Sequence, residues 1–322
     1  MRRQGWQIML GFGALLGLTG AAAAQDAAPK LIRIIVPFSA GASNDVIARA
    51  IAGPLAKRLD SSVIVENRPG AAGIIGADAV AKSPRDGSVL LLTSSTFLTA
   101  AATQPRLPYD ALAAFAPVGM VGMNPSLLAV SSSTPFKSTA ELLAAARAKP
   151  GELTYGSAGV GSIGHMATEL MSAAANVQMR HVPYKGAANA AIDLAGGQIH
   201  VMISSYATLS AFVKTGKVRV LAVTSKQPHP SFPDVPPLIA AIPGYSNEVW
   251  VGISAPAGTP ARLVERLNRE IIEIAASPEL KTLLEPDGML PSAVSPASFA
   301  ARVKQELALW KQVAAARKIV ME

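Results

Sequence analysis

The chain has 322 residues, enough for two domains, and a formal net charge of +8. Half of its residues are hydrophobic and 16% are charged, which excludes a largely disordered protein. Because the basic residues are scattered and aromatic residues make up only 5%, we do not expect nucleic-acid binding. The absence of cysteine excludes disulfides, thiol catalysis, thiolate metal sites and a lipid anchor on an N-terminal cysteine.

Residues 1–24 have the pattern of a secretory signal peptide. Arg2 and Arg3 precede an apolar segment at 8–20, and Ala22–Ala24 supplies the small residues of a cleavage site. The apolar segment is shorter than a membrane-spanning helix requires. We therefore predict export, cleavage before Gln25 and a periplasmic location, with an N-terminal helix that stays attached as the alternative.

The first part of the mature chain alternates short apolar strands with helical patterns. Strands are predicted at 31–36, 63–65 and 89–92, and helices at 46–59 and 74–82. Continuous apolar strands between helices are typical of a parallel sheet covered on both faces.

The alternation starts again after residue 125. The predicted strands cover 126–130, 153–155, 177–182, 199–203 and 218–223, and the predicted helices cover 138–149, 162–174 and 187–195. A crossing strand at 249–253 precedes helices at 260–276, 278–284 and 296–317, the first of them capped by Thr259. We therefore predict two α/β lobes: lobe 1 comprises 25–125 plus 252–322, and lobe 2 comprises 126–251.

Small polar residues follow several predicted strands, at Ser39–Ser43, Thr93–Thr96, Ser157–Ser162 and Ser204–Ser205. In open α/β sheets, ligands bind beyond the carboxyl ends of the strands. Free N–H groups at helix N-termini, together with hydroxyls, suit an anion. Loops of this kind facing each other from two lobes would clamp a carboxylate; ordinary helix capping is the alternative for each loop.

No motif indicates a cofactor or a metal. Gly159–Gly164 matches G-x-G-x-x-G, but a dinucleotide site also needs an acidic residue about 20 positions later, where this chain has Val182–Lys185. These glycines instead allow the backbone to approach a small ligand group. The four histidines lack metal-ligand spacing, and there is no G-x-S-x-G sequence.

Three ionisable residues lie close to the predicted loops. Asp45 falls in the first turn of the first helix, where it either complements the helix dipole or orders the cleft and holds a ligand amino group. His165 follows the glycine-rich loop, so it either lines the cleft or has a structural role. Lys185 directly follows a strand and is placed at the cleft mouth.

Six motifs occur along the mature chain in a fixed order: Pro37–Gly41 followed by Asp45, Val65–Gly70, Leu107–Asp110, His181–Gly186, Leu221–Thr224 and Pro256–Pro260. In these motifs and their order, the chain resembles the Bug-type substrate-binding receptors of tripartite tricarboxylate transporters. The resemblance covers nearly the whole mature chain.

This resemblance implies a two-lobed, periplasmic-binding-protein-like (Venus flytrap) α/β fold, in which each lobe is a mostly parallel sheet flanked by helices. It implies capture of a small organic carboxylate by main-chain N–H groups, small polar side chains and bridging waters. It also implies delivery to a transporter of one large and one small integral membrane subunit, and we expect the receptor to be a monomer. A sensor component that presents a carboxylate to a membrane signalling partner is the alternative. A periplasmic enzyme is a further alternative, although no nucleophile–base pair is recognisable.

The resemblance assigns Phe38, Ala40, Gly41 and Asp45 to a first binding loop, and Ser157–Ser162 with His165 to a second. With the strand-end residues, the predicted ligand contacts are Phe38, Ser39, Ala40, Gly41, Ser43, Asp45, Thr93, Ser95, Ser157, Gly159, Gly161, Ser162, His165, Lys185, Ser204 and Ser205. Because these loops contain few arginines, we predict a mono- or dicarboxylate ligand in preference to a tricarboxylate.

One position departs from the family pattern. Ala42 stands where the family has a second glycine. If that position requires a positive φ, alanine is expected to strain or reshape the first loop.

Overall fold

The computed structural model describes residues 28–321, so the predicted signal peptide lies outside the described residues. The strands are β1 (Leu31–Val36), β2 (Ser62–Asn67), β3 (Val89–Ser94), β4 (Phe115–Pro125), β5 (Leu127–Ser131), β6 (Thr154–Ser157), β7 (Arg180–Pro183), β8 (Val201–Ser204), β9 (Val218–Val223), β10 (Glu248–Pro256) and β11 (Leu290–Pro291). The helices are α1 (Ser43–Leu59), α2 (Ile74–Ala81), α3 (Ser95–Thr103), α4 (Thr139–Ala148), α5 (Ile163–Ala174), α6 (Ala187–Ala195), α7 (Tyr206–Lys214), α8 (Ala261–Ala275), α9 (Pro278–Leu284) and α10 (Pro296–Arg317).

The first sheet has the strand order β11-β4-β10-β3-β1-β2. Strand β1 is parallel to both β2 and β3, because α1 and α2 carry the chain back across the sheet between them. Strand β10 is antiparallel to both β3 and β4, so a late segment of the chain lies in the middle of the first sheet.

The second sheet has the order β7-β6-β8-β5-β9. Strand β6 is parallel to β7 and β8, whereas β5 is antiparallel to β8 and β9. The chain passes from the first sheet to the second at Ser126, whose N–H donates to the Thr224 hydroxyl at 2.7 Å. It returns near Asn247, whose N–H donates to the Thr224 carbonyl at 3.1 Å.

Each sheet is packed between helices on both faces. In the first, α1 and α8 bury leucine and isoleucine against one face, while α3 and α10 cover the other around Trp250 and Phe299. In the second, α4 and α5 pack on one face around Tyr155, and α6 and α7 pack on the other. Met166 of α5 joins the cluster beneath α10, so apolar packing continues between the layers of the two sheets.

The predicted α/β class with two helix-flanked sheets is confirmed, although both sheets are mixed and not mostly parallel. The predicted lobe boundaries stay a prediction. The Thr259 cap is wrong: Pro260 occupies the N-cap position of α8, and the Thr259 hydroxyl donates to the Pro256 carbonyl.

Candidate functional site

A cavity of about 700 Å³ lies between the layers of the first and second sheets. The first sheet and its helices contribute the start of α1, the end of β4, part of β10 and the segment after α9. The second contributes the starts of α5 and α7 and the end of β8. The volume falls within the range of sites for small organic molecules.

Four helix N-termini reach this cavity. Ser43 begins α1, Ser162 caps α5, Ala187 begins α6, and Ser205 caps α7. The Ser162 hydroxyl accepts from the His165 N–H, and the Ser205 hydroxyl accepts from the Thr208 N–H, both at 3.4 Å. Because free N–H groups and positive dipole ends converge here, the cavity can hold an anion without an arginine clamp.

Asp45, which is 2% exposed, holds the first binding loop in place. Its carboxylate accepts from the Gly41 N–H at 2.8 Å, from Arg49 at 3.0 Å and from the Asn67 amide at 2.9 Å. Asn67 also donates to the Phe38 carbonyl at 3.1 Å. Asp45 and Asn67 thus hold both ends of the loop, and Asp45 does not line the cavity.

These hydrogen bonds also set the ionisation of Asp45. Arg49 first, then the Gly41 N–H and Asn67, lower the pKa of Asp45 to about 2. The carboxylate is therefore charged under all physiological conditions.

Ala42 adopts φ −68° and ψ 157°, whereas Gly41 takes φ +81°. The strain considered for Ala42 is absent, because the positive φ belongs to Gly41.

The second loop rests on two stacked histidines. His165 is 5% exposed, and its Nδ1 accepts from the Gly161 N–H at 3.1 Å. The rings of His165 and His181 are parallel, with centroids 3.8 Å apart. Nε2 of His181 lies 2.7 Å from the Ser157 hydroxyl, which also accepts from the Gly159 N–H at 3.1 Å. The two histidines therefore hold the loop in place without lining the cavity.

Ser157 and His181 have the separation of a nucleophile and its base, a pair that the sequence did not reveal. Ser157 is fully buried, however, and neither residue lines the cavity. Burial lowers the pKa of both His165 and His181 to about 4, and His165 further lowers that of His181. A base with so low a pKa is a poor proton acceptor near neutral pH.

Five of the predicted contacts line the cavity: Gly41, Ser43, Ser162, Ser204 and Ser205. The other predicted residues lie outside its lining: Phe38, Ser39, Ala40, Asp45, Thr93, Ser95, Ser157, Gly159, Gly161, His165 and Lys185. Ser39, Ala40 and Lys185 are exposed.

Thr93 of β3 and Ser95 at the start of α3 do not line the cavity. The Thr93 hydroxyl donates to the Gly252 carbonyl at 3.2 Å, and the Ser95 hydroxyl accepts from the Trp250 N–H at 3.0 Å. Both side chains therefore bond β10, which lies beside β3.

Sequence reasoning missed several lining residues. Asn124 is the next-to-last residue of the otherwise apolar β4, Tyr206 begins a helix that was not predicted, and Asp287 lies in a turn between two C-terminal elements. The Pro-Asp-Gly sequence at 286–288 marks a turn, but nothing in it indicates a position beside the second sheet.

Among residues 28–321, no group of histidine, aspartate and glutamate side chains is arranged to hold a metal ion. Within the same residues, no helix is both long enough and apolar enough to cross a membrane.

Residues 47–319 match the family model described as "Tripartite tricarboxylate transporter family receptor". The protein BugT of Bordetella pertussis is 33% identical over 305 residues, which cover 94% of each chain. A solved structure described as Rpa4515 of R. palustris with adipate is 34% identical and superposes with a TM-score of 0.75, covering 90% of this chain and 98% of that one. MatC of Rhodopseudomonas palustris, with bound malate, is 29% identical with a TM-score of 0.73, covering 88% and 98%.

Proposed function

This chain belongs to the tripartite tricarboxylate transporter receptor family, and from that premise we propose that it captures a small organic carboxylate between two lobes. The proposed lobes are 25–125 plus 252–322 and 126–251, with the cavity between them. The observation that carries the proposal is the convergence of four helix N-termini on one cavity. The ligand carboxylate accepts from N–H groups and hydroxyls at the starts of α1 and α5, in the loops at Gly41–Ser43 and Ser162, while Ser204 and Ser205 line the cavity beside them.

The chemistry of the lining supports a weakly charged ligand. Asp287 and Lys214 are the charged side chains among the described residues of the lining. Without a guanidinium fork, the site has little to neutralise several carboxylates at once. Two solved relatives hold adipate and malate, which are both dicarboxylates. We therefore favour a mono- or dicarboxylate over a tricarboxylate.

The proposed role is delivery of this ligand to a membrane transporter with one large and one small integral subunit. A solved relative is named as a periplasmic transporter and another as periplasmic binding protein BugD, which supports export of this chain to the periplasm. Closure of the two lobes on the ligand would create the surface that the transporter recognises.

We propose binding without chemical conversion. Ser157 is fully buried, and the lowered pKa of His181 makes its imidazole a weak proton acceptor, so the pair supplies no accessible activated nucleophile. Incubation of saturated protein with each ligand, followed by NMR of the ligand, tests this point; a time-dependent product would contradict it.

A thermal-shift screen tests the binding function. Protein that has been unfolded and refolded to remove bound ligand is heated with adipate, malate, citrate, aromatic acids, amino acids and NAD. A ligand present at 100 times its Kd adds about 2.7 kcal/mol to the free energy of unfolding, which raises Tm by several degrees. We expect this rise from mono- or dicarboxylates; a shift only from NAD, or from none of these compounds, would reject the proposal.

A further inference from the structure

One helix N-terminus at the cavity is already occupied by a carboxylate of the chain itself. Asp287 belongs to the turn after α9, on the side of the first sheet, and lines the cavity. Its Oδ1 accepts from the Ala207 N–H at 2.9 Å, at the start of α7 on the side of the second sheet. The positive end of α7 is therefore compensated by Asp287, unlike that of α5.

Asn124 lies beside Asp287 and lines the same cavity. It is 3% exposed, and its Nδ2 donates to Oδ2 of Asp287 at 3.3 Å. Its Oδ1 has no hydrogen-bond partner. A buried amide oxygen without a partner is costly, and a donor would remove that cost. This end of the cavity thus offers acceptors from both side chains.

A second carboxylate is the wrong group for this end. It would meet the negative charge of Asp287 and the acceptor of Asn124, and the Ala207 N–H at the start of α7 already donates to Asp287. An ammonium or a hydroxyl would donate to the same atoms. Desolvation raises the pKa of Asp287, and a cation bound beside it would favour its charged form.

We infer that Asp287 and Asn124 form a subsite for a hydrogen-bond donor at the end of the ligand opposite its carboxylate. The favoured ligands are amino or hydroxy monocarboxylates, and a dicarboxylate of the same length is disfavoured. The inference rests on the proposed function, since it places the ligand carboxylate at the N-termini of α1 and α5.

Calorimetry with length-matched ligands tests this subsite in the unaltered protein. One series is 6-aminohexanoate, 6-hydroxyhexanoate, hexanoate and adipate; the other is 4-aminobutyrate, 4-hydroxybutyrate, butyrate and succinate. We expect the amino or hydroxy member to bind at least tenfold tighter than the dicarboxylate in the series that fits. The comparison of the two donor ligands distinguishes ammonium from hydroxyl.

The outcomes separate the two proposals. If adipate or succinate binds as tightly as its amino and hydroxy counterparts, the subsite is rejected while carboxylate capture stands. If no member of either series binds but another carboxylate raises Tm, the subsite as described is also rejected. If no carboxylate of any kind binds, the proposed function fails, and the subsite fails with it.

Asp287→Asn shows whether the preference comes from this side chain. We expect the ratio of donor-ligand to dicarboxylate affinity to fall at least fivefold. Glu285→Gln is the matched control, because it removes the same charge from an exposed residue of the same turn that lies outside the cavity lining. If Asp287→Asn weakens both ligands equally, Asp287 only caps α7, and the inference is overturned. If the variant does not fold, the ligand series in the unaltered protein decides.

Discussion

Asp45 acts on the ligand through the loop that it holds, not by touching the cavity. We predict that Asp45→Asn weakens carboxylate binding roughly tenfold, because it removes one charge-assisted hydrogen bond to the Gly41 N–H and loosens the start of α1. Asp60→Asn is the matched control, since Asp60 pairs with Lys30 on the surface. Calorimetry should show unchanged affinity for the control; equal losses in both variants would contradict this positioning role.

Gly161 is required both for its backbone and for the space beside it. Its φ is +74°, and an added Cβ would lie 2.7 Å from the Thr103 hydroxyl and 2.8 Å from Met321. We predict that Gly161→Ala lowers the free energy of unfolding by about 2–3 kcal/mol. Gly216→Ala is the control, because Gly216 has φ +68° and no atom within 4 Å, so only the backbone cost of about 1 kcal/mol applies. Urea unfolding of both variants measures this difference. If both lose the same free energy of unfolding, the contacts with Thr103 and Met321 add no steric cost at Gly161.

The stacked histidines join α5 to β7, and they should make the free energy of unfolding depend on pH. Burial lowers the pKa of His165 and His181 to about 4, whereas in the unfolded chain they take up protons near pH 6.5. Their contribution to stability is therefore complete above pH 6.5 and is lost as the pH falls from 6.5 to 4. The slope reaches about 1.4 kcal/mol per pH unit for buried His165, and less for partly exposed His181.

Tm measured between pH 7.5 and 4.5 tests this dependence. His181→Gln should flatten the decline, because one of the two titrating rings is removed. A smaller decline of Tm with falling pH is still expected in this variant, because His165 remains and because burial also lowers the pKa of His229. An identical slope in both proteins would show that the stack does not govern acid sensitivity. Asp45 does not affect this slope, because its contribution to the free energy of unfolding is lost only below about pH 3.8.

Most helices and strands could be predicted because their apolar spacing is regular. The helix at 187–195 and the strand at 218–223 were predicted with the observed bounds. Helices α3 and α7 were missed, because each begins directly after a strand in a run of serine, threonine or tyrosine that resembles a loop. The antiparallel strand pairs were not predicted either, because the sequence of a buried apolar strand does not indicate whether it runs parallel or antiparallel to its neighbours.

The binding cavity was only partly predictable, because it depends on how distant segments meet. A serine at a helix N-terminus carries a local signal: Ser162 and Ser205 cap α5 and α7, Ser43 is the first residue of α1, and all three line the cavity. Asp287 reaches α7 across 80 positions of sequence, so no local pattern could place it there. Conversely, Thr93 looked like a binding residue, but β10 enters the sheet beside it and accepts its hydrogen bond.

The two halves of the molecule are also joined away from the cavity, through Arg317 at the end of α10. Its guanidinium pairs with Glu169 of α5, which also accepts from the Tyr155 hydroxyl. Glu169 is 7% exposed, so removing its cationic partner leaves a buried charge without compensation. We predict that Arg317→Gln lowers the free energy of unfolding by about 2 kcal/mol.

Adding Glu169→Gln to Arg317→Gln should recover part of this loss, because the uncompensated charge is then gone. Lys149→Gln breaks the exposed pair with Glu152 and serves as control, with an expected loss below about 0.5 kcal/mol. Urea unfolding of the four proteins gives the comparison. If Arg317→Gln costs no more than Lys149→Gln, the two halves are held together by the apolar packing around Met166, and the ion pair adds nothing to that contact.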